Sequence, residues 1–147
     1  TCLSSIPVIC MILYSVLATG IIVKVLKIFI GRARPIFFEA LGMTGFFPPS
    51  TEWAFNSMPS GHTAVSFAGL VMIGMLAPKY KPLTWGMAIL VAISRVGVGA
   101  HWPSDVILGA FIGMVIADVI AKRFAAEKVI YSDSGVREGF IYSEIIK

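Results

Sequence analysis

The sequence predicts an all-α protein, an integral-membrane bundle of about four helices, on three observations. The 147 residues are 57% hydrophobic and only 14% charged, whereas about a quarter of the residues in a soluble domain are charged. Residues 1–23 contain no charged side chain, and an apolar run of that length can span a bilayer. Further low-charge runs occupy residues 63–78, 82–94 and 106–117. Each of these alone fits a buried helix of a soluble bundle, but four runs leave too little polar surface for a soluble chain.

The first predicted span covers residues 5–30, and Gly31 and Pro35 punctuate the chain after it. Residues 36–58 are rich in Phe, Pro and Gly and are predicted to form a loop. Trp53 within this loop suits the membrane–water interface, where amphipathic aromatic rings concentrate. The loop therefore leads the chain along the membrane surface to the second span.

The second span is predicted to run from Ser60 to Pro78, and its first residue is a candidate N-cap. A tight turn at residues 79–82 leads to the third span, which ends near Val98. The fourth span begins with Ser104 as its expected cap and is closed by the basic pair at residues 122–123.

The C-terminal tail differs from the rest of the chain. We divide the protein into a transmembrane domain, residues 1–128, and a cytoplasmic tail, residues 129–147. Two similar segments at residues 129–133 and 140–144 are compatible with a small hairpin. A disordered or interfacial tail is equally compatible with this composition.

Three polar segments meet on one membrane face if each apolar run crosses once. They are residues 27–35, 59–62 and 94–105. Lys and Arg residues near the span ends number five on that face and five on the other, so the positive-inside rule is tied. If the basic residues assigned below to the site are left out, fewer Lys and Arg residues remain on the motif face than on the other face. The rule then favours an extracytoplasmic site.

The net charge of +4 does not indicate nucleic-acid binding, because no basic stripe is interleaved with aromatic residues. An anionic lipid or membrane surface fits the charge better. Cys2 and Cys10 are expected to be buried structural thiols, since no disulfide framework or metal motif is present. The first run lacks the basic start and cleavage site of a signal peptide.

Residues 94–105 contain the side chains best suited to catalysis. His101 and Asp105 are four residues apart, so a helix that begins near Pro103 would let the carboxylate reach one imidazole nitrogen. That contact would fix the tautomer and leave the other nitrogen free to attack. Arg95 offers a planar fork for an oxyanion.

Taken together, three motifs resemble the three-part signature of the type 2 phosphatidic acid phosphatase family. They are Lys27-x6-Arg34-Pro35, Pro59-Ser60-Gly61-His62 and Ser94-Arg95-x5-His101-x3-Asp105. The resemblance implies a membrane-bound lipid phosphate phosphatase. It also implies that His101 is the nucleophile that forms a phosphohistidine, and that Asp105 orients it. His62 would protonate the leaving oxygen and then activate water.

The remaining signature residues would bind the phosphate. The resemblance implies that three cations hold the equatorial oxygens, namely Lys27, Arg34 and Arg95, and that Ser60 and the Gly61 amide add donors. No metal and no cofactor are expected, because fixed cations would neutralise the charge.

Four other residues fall outside the signature. Lys24 and Arg32 are expected to be ordinary basic residues flanking a span. Trp53 and Trp102 are expected to be interface anchors rather than substrate platforms.

The chain departs from the resemblance in one respect. Membrane members of this family typically have six spans, two of them before the first motif, so a fragment or a minimal form is expected here. The implied substrates are undecaprenyl pyrophosphate, phosphatidylglycerol phosphate, phosphatidic acid and the lipid A 1-phosphate. The expected location is the cytoplasmic (inner) membrane, multi-pass, with the site facing the periplasm or cell exterior. Two rivals stay open: a phosphotransferase with a lipid or sugar hydroxyl as acceptor, and a non-enzymatic membrane interaction module.

Overall fold

The computed structural model describes residues 6–133, with side chains described for residues 8–124. Five α-helices form the described chain: α1 (Ile6–Ile30), α2 (Pro35–Leu41), α3 (Gly61–Leu76), α4 (Lys81–Gly97) and α5 (Pro103–Asp133). Single 3-10 turns occur at Trp53–Phe55 and Pro78–Tyr80. Within the described residues no strand forms beyond an isolated bridge between Arg32 and Phe46. The all-α prediction is confirmed.

The first three long helices coincide with the predicted spans to within a few residues, but the predicted loop at 36–58 is partly helical. Pro35 opens α2, where its fixed φ suits the first helical turn and its missing N–H costs nothing. Gly42, at a φ of 66°, ends α2 because glycine adopts the left-handed conformation without strain. Residues 36–58 therefore form a short helix and turns, which backbone hydrogen bonds join to the end of α1.

The two ends of α5 differ from the prediction. Asp105, not Ser104, caps the start, because its Oδ2 accepts the Trp102 backbone N–H at 2.9 Å. The helix then continues to Asp133, since no Gly or Pro interrupts residues 114–134. Residues 129–133 are thus helical rather than a strand, and residues 140–144 lie outside the described residues.

Helix α3 lies at the centre of the bundle and packs closely on α5 through small residues. A Cβ at Gly109 would lie 2.6 Å from the Ser60 carbonyl oxygen, and one at Gly113 would lie 2.9 Å from the Ala68 nitrogen. Only glycine lets the two backbones approach this closely, as in membrane helix pairs. This contact fixes the start of α5 beside the start of α3.

The outer faces of the bundle are strongly apolar. Helices α1 and α5 contain segments long and apolar enough to cross a membrane, Val8–Ile30 and Pro103–Phe124, which are only 22% and 33% buried. Large side chains such as Phe29 and Ile107 are 69% and 70% exposed. Helix α3 is apolar but shorter, at 16 residues. Soluble proteins rarely expose apolar surface on this scale, so these faces suit contact with lipid.

Candidate active site

A cavity of about 580 Å³ opens where α1 ends and α3 begins. Six of the eight predicted site residues line it: Lys27, Arg34, Gly61, His62, Arg95 and His101. The other two, Ser60 and Asp105, are fully buried and do not line the cavity. The structure therefore brings together residues from three segments that are far apart in the sequence.

The start of α5 positions the His101 ring. The helix begins at Pro103, as the spacing predicts, and His101 is only 3% exposed. Its Nδ1 lies 3.8 Å from Asp105 Oδ2, which is too long for a direct hydrogen bond. The predicted approach of the carboxylate to the imidazole is therefore present at ion-pair distance, without a direct hydrogen bond.

Ser57 fills the space between these two groups. Its Oγ lies 2.5 Å from Asp105 Oδ2 and 3.4 Å from His101 Nδ1, and the residue is fully buried. Because an ionised carboxylate only accepts hydrogen bonds, the Ser57 hydroxyl donates to Asp105 and its lone pair faces Nδ1–H. In the neutral tautomer that this arrangement favours, Nε2 is the nitrogen that faces away from Ser57 and Asp105. Ser57 was not among the site residues predicted from the sequence.

The second carboxylate oxygen is held by Arg32. Its Nη1 donates to Asp105 Oδ1 at 2.5 Å and to Ser104 Oγ at 2.7 Å. The guanidinium also lies 5.6 Å from the Phe46 ring centroid and 5.5 Å from that of Trp102, within cation–π range. Arg32 thus neutralises the carboxylate, and the expectation of an ordinary flanking residue is wrong for it.

Arg34 is anchored by the surrounding backbone. Its Nε donates to the Trp53 carbonyl at 2.9 Å, its Nη1 to that of Ala100 at 3.1 Å and its Nη2 to that of Asn56 at 3.3 Å. The guanidinium also stacks 4.2 Å from the Trp53 ring centroid. Burial lowers the pKa of Arg34 from its ordinary value, and the Asp105 charge offsets part of this change. Arg34 stays charged, since a guanidinium is not deprotonated in proteins.

The two tryptophans expected as interface anchors also make contacts at the site. Trp53 stacks on Arg34 and lines the cavity, although 61% of it remains exposed. Trp102 lies beside Arg32 and donates its indole N–H to the Ala33 carbonyl at 2.9 Å. Both rings therefore help to fix the basic side chains of the first motif.

Lys27 is oriented by the loop that precedes α3. Its Nζ donates to the Asn56 carbonyl at 2.6 Å and lies 3.4 Å from that of Ser57. Arg95, in the last turn of α4, donates from its Nε to Ser94 Oγ at 3.2 Å. Both cations line the cavity, as does Lys24.

Ser60 occupies the N-cap position of α3, as predicted, but its hydroxyl makes no capping bond. It accepts a hydrogen bond from Thr63 Oγ1 at 3.0 Å, and the Ser60 N–H donates to the Asp105 carbonyl at 2.9 Å. Gly61 lines the cavity. Ser60 therefore joins α3 to α5, and its predicted role in phosphate binding stays a prediction.

Fold and site together define an all-helical protein with a cavity lined by basic side chains and two histidines. The chain belongs to the PAP2 superfamily, whose family model matches residues 8–128. The predicted family membership is confirmed. With the two long apolar helices, membership indicates a membrane protein.

Several relatives act on lipid phosphates, according to their names. A lipid A 1-phosphatase of Rhizobium johnstonii is 40% identical over 112 residues, which cover 76% of this chain and 46% of that protein. Lipid phosphate phosphatase 1 of Arabidopsis thaliana is 34% identical over 143 residues, covering 77% and 43%. An undecaprenyl-diphosphatase of Sulfolobus acidocaldarius is 38% identical over 71 residues, covering 48% and 33%. The chain spans about half the length of the lipid A 1-phosphatases that it matches. No solved structure shows significant similarity to it.

Proposed function

We propose that this chain carries the active site of a membrane-bound phosphatase that hydrolyses a lipid phosphate or pyrophosphate through a phosphohistidine, without a metal ion. The observation that carries the proposal is the shared cavity, where three cations from separate helices and loops surround two histidines. The names of the relatives support a lipid substrate, including lipid A, diacylglycerol pyrophosphate and undecaprenyl diphosphate.

The first step transfers the phosphoryl group to the protein. His101 Nε2 attacks phosphorus in line, the bond from phosphorus to the lipid oxygen breaks, and His62 gives that oxygen a proton. Charge on the equatorial oxygens is stabilised by the fixed cations of the cavity. Catalysis at this step therefore depends on groups that are already in place before the substrate binds.

The second step restores the protein. His62, now unprotonated, takes a proton from water, which attacks the phosphohistidine and releases inorganic phosphate. His101 Nε2 leaves with its electron pair, and His62 is again protonated for the next cycle. The phosphotransferase alternative differs only in that a hydroxyl replaces this water.

The direct test of this function is hydrolysis of a panel of lipid phosphates with and without a chelator. Activity is expected to survive EDTA, because cationic side chains supply the positive charge. Vanadate is expected to inhibit by occupying the same cavity. Arg95→Lys is expected to lower activity, since a point charge cannot replace the planar fork. Loss of activity in EDTA that Mg²⁺ restores would contradict the metal-free mechanism.

Ser57 is proposed to couple Asp105 to His101, and Ser57→Ala is the corresponding test. The variant is expected to lower kcat roughly ten- to a hundredfold, the size typical of groups that orient a reacting side chain. KM is expected to stay unchanged, because Ser57 does not line the cavity. Steady-state kinetics on one lipid phosphate gives both values.

Ser57→Thr is the matched control, because it keeps the hydroxyl that bridges the carboxylate and the imidazole. It is expected to recover most of kcat. A Ser57→Ala variant with the wild-type kcat, or one that changes only KM, would show that the bridge has no part in the reaction.

The orientation we propose places the three motifs at the extracytoplasmic face of the cytoplasmic membrane and Lys79–Lys81 in the cytoplasm. The count of basic residues outside the site supports this side. In a background without the native cysteines, an impermeant thiol reagent is expected to label Ser50→Cys in intact cells and to spare Tyr80→Cys. The reverse pattern would invert the topology.

A further inference from the structure

The cavity extends past the layer that holds the predicted catalytic residues. Lys24 lies one turn before Lys27 on α1, Ser66 lies one turn after His62 on α3, and both line the same cavity. At 1.5 Å per residue these steps are about 4.5 Å and about 6 Å along the two helices. Since α1 ends and α3 begins at the site, both steps lead away from the loops, toward the middle of the span.

The charge of this cavity exceeds what one phosphate needs. Four cations line it, and no acidic side chain is among its lining residues in the described part of the chain. Asp105 lies outside the lining and is paired with Arg32. Three cations suffice for the three equatorial oxygens of a single phosphoryl group. Lys24 is therefore surplus to the reacting phosphate.

A role as basic residues that only flank the span does not explain why Lys24 and Lys27 lie one turn apart on α1. Like charges three residues apart on one helical face repel each other. A charged residue inside a membrane span is costly and marks an ion or substrate path by default. Ser66, which lines the same cavity from α3, adds a hydroxyl that can donate to an anion. The deeper layer is thus suited to a second negatively charged group.

We propose that Lys24 and Ser66 form a second anion subsite, which binds the lipid-side phosphate of a lipid pyrophosphate. The proposal rests on the function proposed above and specifies its substrate class. The terminal phosphate occupies the layer of Lys27 and His101, and the lipid-side phosphate lies one turn deeper. The apolar side chains of Val23 and Val65, which also line the cavity, face the start of the lipid chain.

This placement has a direct consequence for the reaction. When His101 attacks the terminal phosphorus, the bond to the bridging oxygen breaks and the lipid monophosphate leaves with that electron pair. The negative charge that develops on the leaving phosphate is then adjacent to the Lys24 ammonium. Lys24 therefore stabilises the departing group of a pyrophosphate but has no such partner in a monophosphate ester.

The test compares diacylglycerol pyrophosphate with phosphatidic acid of the same acyl chains in mixed micelles, using the full chain. Lys24→Gln is expected to lower kcat/KM for the pyrophosphate roughly ten- to a hundredfold, the usual effect of losing a hydrogen bond to a charged group. The monophosphate is expected to change less than about threefold, within ordinary context effects on a distant charge. Ser66→Ala is expected to act in the same direction with a smaller effect.

Lys122→Gln is the control for general loss of basic charge, because Lys122 pairs with Asp118 on the exposed surface of α5. It is expected to leave both substrates unchanged. Lys24→Arg keeps the charge and is expected to keep the pyrophosphate preference. Equal losses on both substrates in Lys24→Gln, or no loss on either, would overturn the subsite while leaving the phosphatase in place. A wild-type chain that hydrolyses neither substrate would instead contradict the proposed function.

Discussion

His101→Ala is expected to abolish both turnover and the labelled phosphoenzyme on every substrate. The variant lacks the nitrogen that forms the covalent bond, and no second nucleophile is assigned in the cavity. Alkyl phosphates, aryl phosphates and pyrophosphates should therefore lose activity alike. Rapid quenching at alkaline pH, where phosphohistidine survives, measures the intermediate directly.

The comparison variant for this experiment is Asp105→Asn. It keeps the shape of the side chain but removes the charge that stabilises the imidazolium, so its activity should lie between the wild type and His101→Ala. Arg32 also binds this carboxylate, so the substitution removes an ion pair as well as the charge beside the imidazole. The melting temperature of the Asp105→Asn variant must therefore be measured together with its activity. Phosphoenzyme that still forms in His101→Ala would show that another residue is the nucleophile.

His62→Ala is expected to lower kcat on an alkyl phosphate by about 10²–10⁴-fold, the range typical of general acid–base catalysis. The leaving oxygen of an alkyl phosphate needs a proton, and His62 is the cavity residue proposed to supply it. An aryl phosphate or a pyrophosphate has a more stable leaving group, so the same variant should lose less activity on those substrates. The ratio of the losses is the measurement.

This dependence on the leaving group separates the two histidines. Equal losses of activity on all three substrates in His62→Ala would argue against a role of His62 in proton transfer. If His62→Ala failed to trap label while His101→Ala succeeded, the two roles would be reversed. Both results can be read from the same set of quenched reactions.

The helices and the convergence of the motifs could be predicted because they depend on local pattern. The hydropathy pattern predicted the four long helices. If each helix crosses the membrane once, the three motifs lie at the same end of the bundle. Arg32 left a weaker signal. It lies between Gly31, which ends α1, and the extended residue Arg34 before Pro35. In extended backbone, residues two apart point to the same side, so Arg32 can reach the site together with Arg34.

Ser57 and the hydroxyl of Ser60 could not be assigned from the sequence. Ser57 contacts Asp105 across 48 residues, and that contact depends on the path of the loop before α3. The direct contact between His101 and Asp105 was expected from their spacing alone, but spacing does not show that a third side chain fits between them. The N-cap position of Ser60 followed from its place in the sequence, whereas Thr63 and not the helix backbone binds its hydroxyl. These hydrogen-bond partners are determined by tertiary packing.

Asp105 connects three separate parts of the chain. Its carboxylate binds Arg32 after α1 and Ser57 before α3, and its backbone carbonyl accepts the N–H of Ser60. The orientation of His101 therefore depends on contacts that exist only after α1, α3 and α5 have come together. A nascent chain whose helices are inserted but not yet assembled would lack the aligned imidazole. The proposed hydrolytic activity is therefore expected to appear only after the bundle has assembled, and the growing chain is expected to carry no aligned nucleophilic histidine before that point.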